Sequence, residues 1–269
     1  TDVSLFCPDT VAKLEYQSDF ANITLNSGEQ LSAKLVVIAD GAHSQSRKLA
    51  NIEFNTRAYQ QVAIIANIEV AGGHHHHAFE RFTEHGPMAL LPMSNNRYSL
   101  VWCMEPEQIE HTMALEDDAF LAELQKAFGY CGGAFSKVGM RASYPLVFGK
   151  AESLSSHRTV LIGNAGHAIH PIAGQGFNLG LRDVQLLCDM ANRDDLGDYA
   201  FTRYYSQTRS KDITTVMTLT DSLVRLFSNS SRLLALGRSI GLFSMDLFSS
   251  LKTPLAKQLM GQVKQGKRI

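Results

Sequence analysis

The stretch Val160-Leu161-Ile162-Gly163-Asn164-Ala165-Gly166-His167-Ala168-Ile169-His170-Pro171-Ile172-Ala173-Gly174-Gln175-Gly176-Phe177-Asn178 decides the fold class of this chain. Thr159-Val160-Leu161-Ile162 is an unbroken apolar run apart from its first residue, the pattern of a short strand buried on both faces. Glycines at 163, 166, 174 and 176 let the backbone take positive φ and approach a ligand closely. A helix is predicted from about Phe177 to Met190. In the order strand, glycine-rich loop, helix, the first amides and positive dipole end of the helix face back toward the loop, where they stabilise an anionic group. An ordinary βα turn would share the glycines, but the whole ordered string favours a cofactor loop.

Working outward, Leu35-Val36-Val37-Ile38-Ala39 is a second buried run, bounded by Asp40-Gly41, and it points to an α/β protein with a parallel sheet. Val3–Phe6, Val11–Tyr16 and Ala21–Leu25 read as strands, with turn chemistry at Asn26-Ser27-Gly28-Glu29. Longer strands follow at Gln60–Val70, Ala78–Phe82, Met88–Met93 and Arg97–Met104, the last two joined by a hairpin turn at Ser94-Asn95-Asn96. These predict an antiparallel sheet in a separate layer. Asp117–Phe128 reads as an amphipathic helix with Phe120, Leu121, Leu124 and Phe128 on one face, and Tyr144-Pro145-Leu146 as a strand. After a break near Asp194–Gly197 the pattern is helical, with apolar residues from Leu223 through Leu233, Ile240 and Phe248.

Composition excludes some functions. A formal charge of -1 gives no field to attract a polyanion, so nucleic-acid binding is not expected. Cys7, Cys103, Cys131 and Cys188 form no CxxC pair, which fits a reducing, cytoplasmic setting. No run reaches the ~18 apolar residues needed to span a bilayer, and no secretory leader is visible. His74–His77 invites a metal reading, but adjacent residues on a strand point to alternating faces, so no metal site is assigned. Lys257, Lys264, Lys267 and Arg268 end a Leu- and Phe-rich tail, which either packs on the core or rests on an anionic inner-membrane surface.

The decisive string resembles the second flavin motif of the class A flavoprotein monooxygenases, the para-hydroxybenzoate hydroxylase group. Gly163, Ala165, His167, Pro171, Gly174, Gly176, Asn178 and Asp183 match, while Asn164 stands where the group usually has an Asp that bonds the ribityl chain. Asp40-Gly41-Ala42-His43-Ser44-Gln45-Ser46-Arg47 resembles the group's Asp-Gly-x-x-Ser-x-x-Arg motif, which lies near the flavin pyrophosphate. Phe79–Met93, His170–Gly180, Thr220–Leu223 and Leu226–Ser228 narrow the resemblance to the ubiquinone-biosynthesis hydroxylases, one branch of which carries the same Gly-Asn pair.

The resemblance implies FAD as cofactor, NAD(P)H and O₂ as co-substrates, and hydroxylation of a polyprenyl phenol ring. It implies flavin contacts at Asp40, Gly41, Arg47, Gly163, Asn164, Pro171, Gly174, Gln175, Gly176, Phe177 and Asn178, and no catalytic side chain is assigned. His85, His167 and His170 read as structural or cofactor-adjacent rather than as general bases. The implied architecture is a para-hydroxybenzoate hydroxylase-like, Rossmann-type FAD layer at residues 1–56 and 148–192, an antiparallel-sheet substrate domain at 57–147, and a helical region at 193–269. The group also opens with a Gly-x-Gly-x-x-Gly fingerprint for the ADP phosphates. Gly72-Gly73 and Gly132-Gly133 do not supply it, so the chain is expected to begin inside a longer protein and to be inactive alone. Two other readings remain: another flavoprotein oxidoreductase on this scaffold, or a non-catalytic assembly module in a ubiquinone-biosynthesis complex.

Overall fold

The computed structural model describes residues 3–227 and Thr253. In chain order the elements are β1 (Val11–Tyr16), β2 (Ala21–Leu25), β3 (Gln30–Ala33), β4 (Val36–Ile38), α1 (Gln45–Leu49), β5 (Phe54–Ala71), β6 (Phe79–Thr83), β7 (Gly86–Met93), β8 (Arg97–Met104), α2 (Pro106–Ala114) and α3 (Asp117–Phe128). Then come β9 (Ala134–Val138), β10 (Ala142–Ala151), β11 (Ser155–Ser156), β12 (Thr159–Leu161), β13 (His167–Ala168), α4 (Gln175–Met190) and α5 (Tyr199–Phe227). The chain divides into two compact units. Among the described residues, the first holds residues 3–57, Phe148–Ile169 and Gly176–Met217; the second holds Ala58–Val147, His170–Gln175 and residues 218–227.

In the first unit, β4 and β12 pair in parallel, Val36 opposite Thr159 and Ile38 opposite Leu161. The two apolar runs of the sequence are therefore neighbours across more than a hundred residues. β12 is buried throughout, whereas Val37 at the centre of β4 is 43% exposed, so only one of these runs is buried on both faces. Ile38, Val160 and Leu161 pack with Leu179, Leu186 and Met190 of α4 and with Phe201, Tyr205, Ile213 and Val216 of α5. Burying side chains of this size contributes about 1.5–3 kcal/mol each. A separate antiparallel meander, β1-β2-β3, precedes β4.

The second unit is built on an antiparallel sheet in which β5, β8, β7 and β6 are successive neighbours and β9 also pairs with β5. Strand alternation places Ile64, Ile68, Tyr98, Leu100, Met88 and Leu90 on one face, where Phe120, Leu121, Leu124 and Phe128 of α3 cover them. The β7–β8 turn carries positive φ at Asn95 (61°) and Asn96 (51°), the conformation that two-residue hairpins favour and that Asn tolerates. Gly129, with φ 79°, ends α3 and donates its N–H to the Gln125 carbonyl.

Three sequence expectations change. Val3–Phe6 is not a strand and Val3 and Leu5 are highly exposed, because alternation alone forms no ladder. The strand expected at Gln60–Val70 starts at Phe54, and a helix absent from the sequence reading, α2, begins with Pro106 at its first turn. The apolar positions from Leu233 to Phe248 and the basic end from Lys257 to Arg268 lie outside the described residues. Among the described residues, no helix is long and apolar enough to cross a membrane.

Candidate functional site

β12 leads directly into the decisive loop. The Ile162 N–H donates to the Ile38 carbonyl (3.0 Å), which carries the parallel pairing up to the loop's first residue. Gly163–Ala165 then form one 3₁₀ turn, closed by the Gly166 N–H on the Gly163 carbonyl at 2.9 Å. Gly163 has φ +56°, a conformation in which glycine avoids the Cβ strain of other residues. Its N–H donates to Asp183 Oδ2 at 2.8 Å. A Cβ at Gly180 would lie 3.5 Å from Gly163 Cα, so α4 passes close behind the loop. A Cβ on Gly163 itself would meet nothing within 4 Å. The rear of the loop is pinned and its front is open.

Asp183 is the pin. It is fully buried on α4, and besides Gly163 it accepts from His167 Nε2 on Oδ2 (2.9 Å) and from Arg209 Nε on Oδ1 (2.6 Å). Accepting here places the His167 ring hydrogen on Nε2. Arg209, fully buried on α5, also donates to Asp212 Oδ2 (2.6 Å) and the Leu179 carbonyl (3.2 Å). Arg182 donates to Asp212 as well, at 3.1 Å. Burial works against the Arg209 charge, but the Asp183 and Asp212 carboxylates outweigh it and hold its pKa above the ordinary arginine value. Removing one partner of such a pair costs about 3–5 kcal/mol, because the other charge stays buried.

The Asp40–Arg47 segment also meets the loop. Gly41 turns with φ +87°, Asp40 Oδ2 accepts from the Ser46 N–H (3.0 Å), and Ser44 caps α1 through the Arg47 N–H (2.9 Å). Partial burial opposes the Asp40 charge, yet bonds from Ser44 and Ser46 hold its carboxyl below the usual range. Arg47 is buried. Its Nη1 donates to the Ala165 carbonyl at 2.8 Å, its Nη2 to the Ala42 carbonyl at 3.1 Å, and its guanidinium stacks on Phe54 at 4.2 Å. The resemblance makes Arg47 a neighbour of the pyrophosphate; here one bond from each of its terminal nitrogens also joins the two motifs to each other.

Farther along the loop, within the second unit, His170 is fully buried and its Nε2 donates to Gln61 Oε1 at 3.1 Å. Gln61 Nε2 in turn donates to the His85 carbonyl (2.9 Å), which fixes the amide's orientation. Burial pushes the His170 pKa down to about 4, so its ring is neutral at physiological pH. Pro171 leads into a 3₁₀ turn at Ile172–Gly174, and Gly174 has φ +60° with open space where a Cβ would stand. Gln175, buried, is the first residue of α4; Gly176 and Asn178 are half-buried, while Asn164 and Phe177 are exposed. His74 uses Nε2 on the Met93 carbonyl (2.8 Å) and Nδ1 on the His76 N–H (3.0 Å), a turn-stabilising role.

Residues 15–194 match the FAD binding domain family, and the chain belongs to that family. It is 38% identical to ubiquinone hydroxylase UbiL of Rhodospirillum rubrum over 98% of this chain and 62% of that protein. It is 31% identical to 3-demethoxyubiquinol 3-hydroxylase of Escherichia coli over 96% of this chain and 67% of that protein. Its fold is that of p-nitrophenol 4-monooxygenase PnpA from Pseudomonas putida, with TM-score 0.73 at 17% identity over 97% of this chain and 67% of that one. The chain spans 62% and 63% of the first two curated relatives it matches.

The cofactor of this family is FAD, and the residues present fit it. The backbone is bare and open at Gly163 in the first unit, where a Cβ would meet nothing within 4 Å. α4 begins at Gln175, directly after Gly174, and a helix start of this kind suits an anionic group. The residues that build this cradle were only partly marked by the sequence reading. Asp183 is in the matched motif without a role, and Arg209 is absent. Its signal was present: Phe201, Tyr205, Arg209, Ile213 and Val216 follow helical spacing, so an arginine interrupts an otherwise apolar face.

Proposed function

We propose that this protein, with FAD bound, hydroxylates the aromatic ring of a polyprenyl phenol in ubiquinone biosynthesis, as a 2-octaprenyl-6-methoxyphenol hydroxylase-type enzyme. The observation that carries the reading is the open, rear-pinned Gly163 turn in a chain whose relatives are named as ubiquinone hydroxylases. In the reaction, phenol, O₂, NAD(P)H and a proton give catechol, NAD(P)⁺ and water. FAD supplies the hydride acceptor and the activated oxygen; the protein's part is to hold the cofactor and exclude water.

In this reading Gly163, Asn164, Pro171, Gly174, Gln175, Gly176, Phe177 and Asn178 form the flavin-facing wall, with Asp40 and Gly41 beside the pyrophosphate. Asn164 keeps both a donor and an acceptor for the ribityl chain. A polyprenyl substrate resides in a lipid phase, which favours peripheral contact with the inner membrane and co-assembly with other enzymes of the same route. The test is NAD(P)H-dependent oxygen consumption with a short-chain prenyl phenol, with product read by mass spectrometry. One added oxygen per NAD(P)H supports the reading. Peroxide formation indifferent to the phenol overturns it.

A further inference from the structure

The fully buried Asp183 carboxylate stands between Arg209 and the loop: Oδ1 takes the Arg209 Nε at 2.6 Å, and Oδ2 takes the Gly163 N–H at 2.8 Å. Arg209 itself bonds to Asp183, Asp212 and the Leu179 carbonyl, so its path to the loop runs through Asp183. Two properties make this more than a buried ion pair. Gly163 holds a left-handed φ of +56°, one of several conformations open to glycine, so it is its bonds rather than its own sterics that select this one. The same carboxylate oxygen that restrains Gly163 also takes His167 Nε2 at 2.9 Å, so it fixes the loop at two points four residues apart.

We infer that Arg209 is a positioning residue of the flavin site, acting through Asp183 to hold the Gly163–His167 turn in the shape that admits the cofactor. The guanidinium fixes one carboxylate oxygen so that the other is aimed at the turn. Lysine keeps the charge but lacks the planar fork that engages Asp183, Asp212 and Leu179 together. Arginine thus sets the rotation of the Asp183 carboxylate, and the carboxylate sets the turn.

The test compares Arg209→Lys and Asp183→Asn with Arg158→Lys, a control in the same unit. Arg158 is buried and bonded to Asp195 at 2.9 and 2.7 Å and to the Lys34 and Ser18 carbonyls, with no bond to the loop. Asp212→Asn is a milder variant for the case in which the others do not fold, since Asp212 is partly exposed and supports Arg209 from outside. Two quantities are read: amide hydrogen exchange of peptide 162–168 in flavin-free protein, and FAD affinity by quenching of flavin fluorescence. Arg209→Lys and Asp183→Asn are expected to speed exchange in 162–168 about tenfold beyond any change elsewhere in the unit, and to weaken FAD about tenfold, with Asp212→Asn a few-fold in the same direction. Arg158→Lys is expected to lower thermal stability while leaving both readouts within twofold. If the Arg209 and Asp212 variants raise exchange no more than Arg158→Lys does, the inference fails. Absence of FAD binding by the parent protein would count against the functional reading instead, and the exchange arm would still judge Arg209.

Discussion

Arg47 and Ala165 are 118 residues apart in sequence, yet Arg47 Nη1 donates to the Ala165 carbonyl at 2.8 Å. That bond joins the Asp-Gly segment to the glycine-rich loop inside one unit, and a second from Nη2 to the Ala42 carbonyl secures the near end. The Ala42 carbonyl lies in a turn and the Ala165 carbonyl ends a single 3₁₀ turn, so neither belongs to a strand ladder. The guanidinium therefore serves as the missing ladder between two turns.

Replacing Arg47 with Met keeps much of the packing on Phe54 but leaves two carbonyls without a donor. The expected loss is about 2–4 kcal/mol of unfolding free energy by urea denaturation. A change below about 0.5 kcal/mol would mean that water replaces both bonds at no cost, contrary to the burial of Arg47.

Gly163→Ala separates strain from obstruction. The new Cβ meets nothing within 4 Å, so the flavin-free protein is expected to lose only the left-handed backbone penalty of about 1–2 kcal/mol. FAD affinity is expected to fall at least tenfold, because the methyl group points into the open front of the turn. Unchanged affinity in fluorescence titration would show that the cofactor does not approach this backbone.

His170 makes stability depend on pH with a definite sign. Its folded pKa is about 4 against 6.5 for the free side chain, so the unfolded state binds the proton first as pH falls. The contribution is complete above pH 6.5 and is lost between 6.5 and about 4. Over that window the stability advantage of wild type over His170→Gln is expected to shrink by about 3 kcal/mol. A pH-independent difference between the two proteins would contradict the buried, neutral ring.

The four cysteines are expected to split three to one toward a thiol reagent. Cys7, Cys131 and Cys188 are exposed, whereas Cys103 is buried and its thiol is pushed up to about 12, chiefly by burial. Mass spectrometry after brief iodoacetamide treatment should find Cys103 unmodified until denaturant is added. Early labelling of Cys103 would mean that β8 opens readily.

Much of the fold was legible because it rests on local pattern. The apolar runs at Leu35–Ala39 and Thr159–Ile162, the Asn95-Asn96 turn and the face of α3 all announce themselves within a few residues. The ends of β5 did not, since where a strand begins depends on its partners. The site was legible at its glycines for the same reason, as a bare backbone can be read one residue at a time. The supports behind it were not. The bonds of Asp183 to Arg209 and of Arg47 to Ala165 are relations between distant positions; the motifs mark Asp183 and Arg47 without these partners, and the arginine on the buried face of α5 is the hint of the first.

The open front and tied rear of the Gly163 turn have one more consequence. Fixing the backbone of a residue costs about 1–2 kcal/mol in conformational entropy. Asp183 holds Gly163, Arg47 holds the Ala165 carbonyl, and the Ala151 N–H holds the Gly166 carbonyl at 2.9 Å, so this ordering is complete when the chain folds. A ligand arriving here meets a surface with little freedom left to lose. The exposed side chain at Asn164 is then relieved of any part in shaping the turn. Exchanging Asp for Asn at that position alters the charge offered to the ligand while the backbone that offers it stays put.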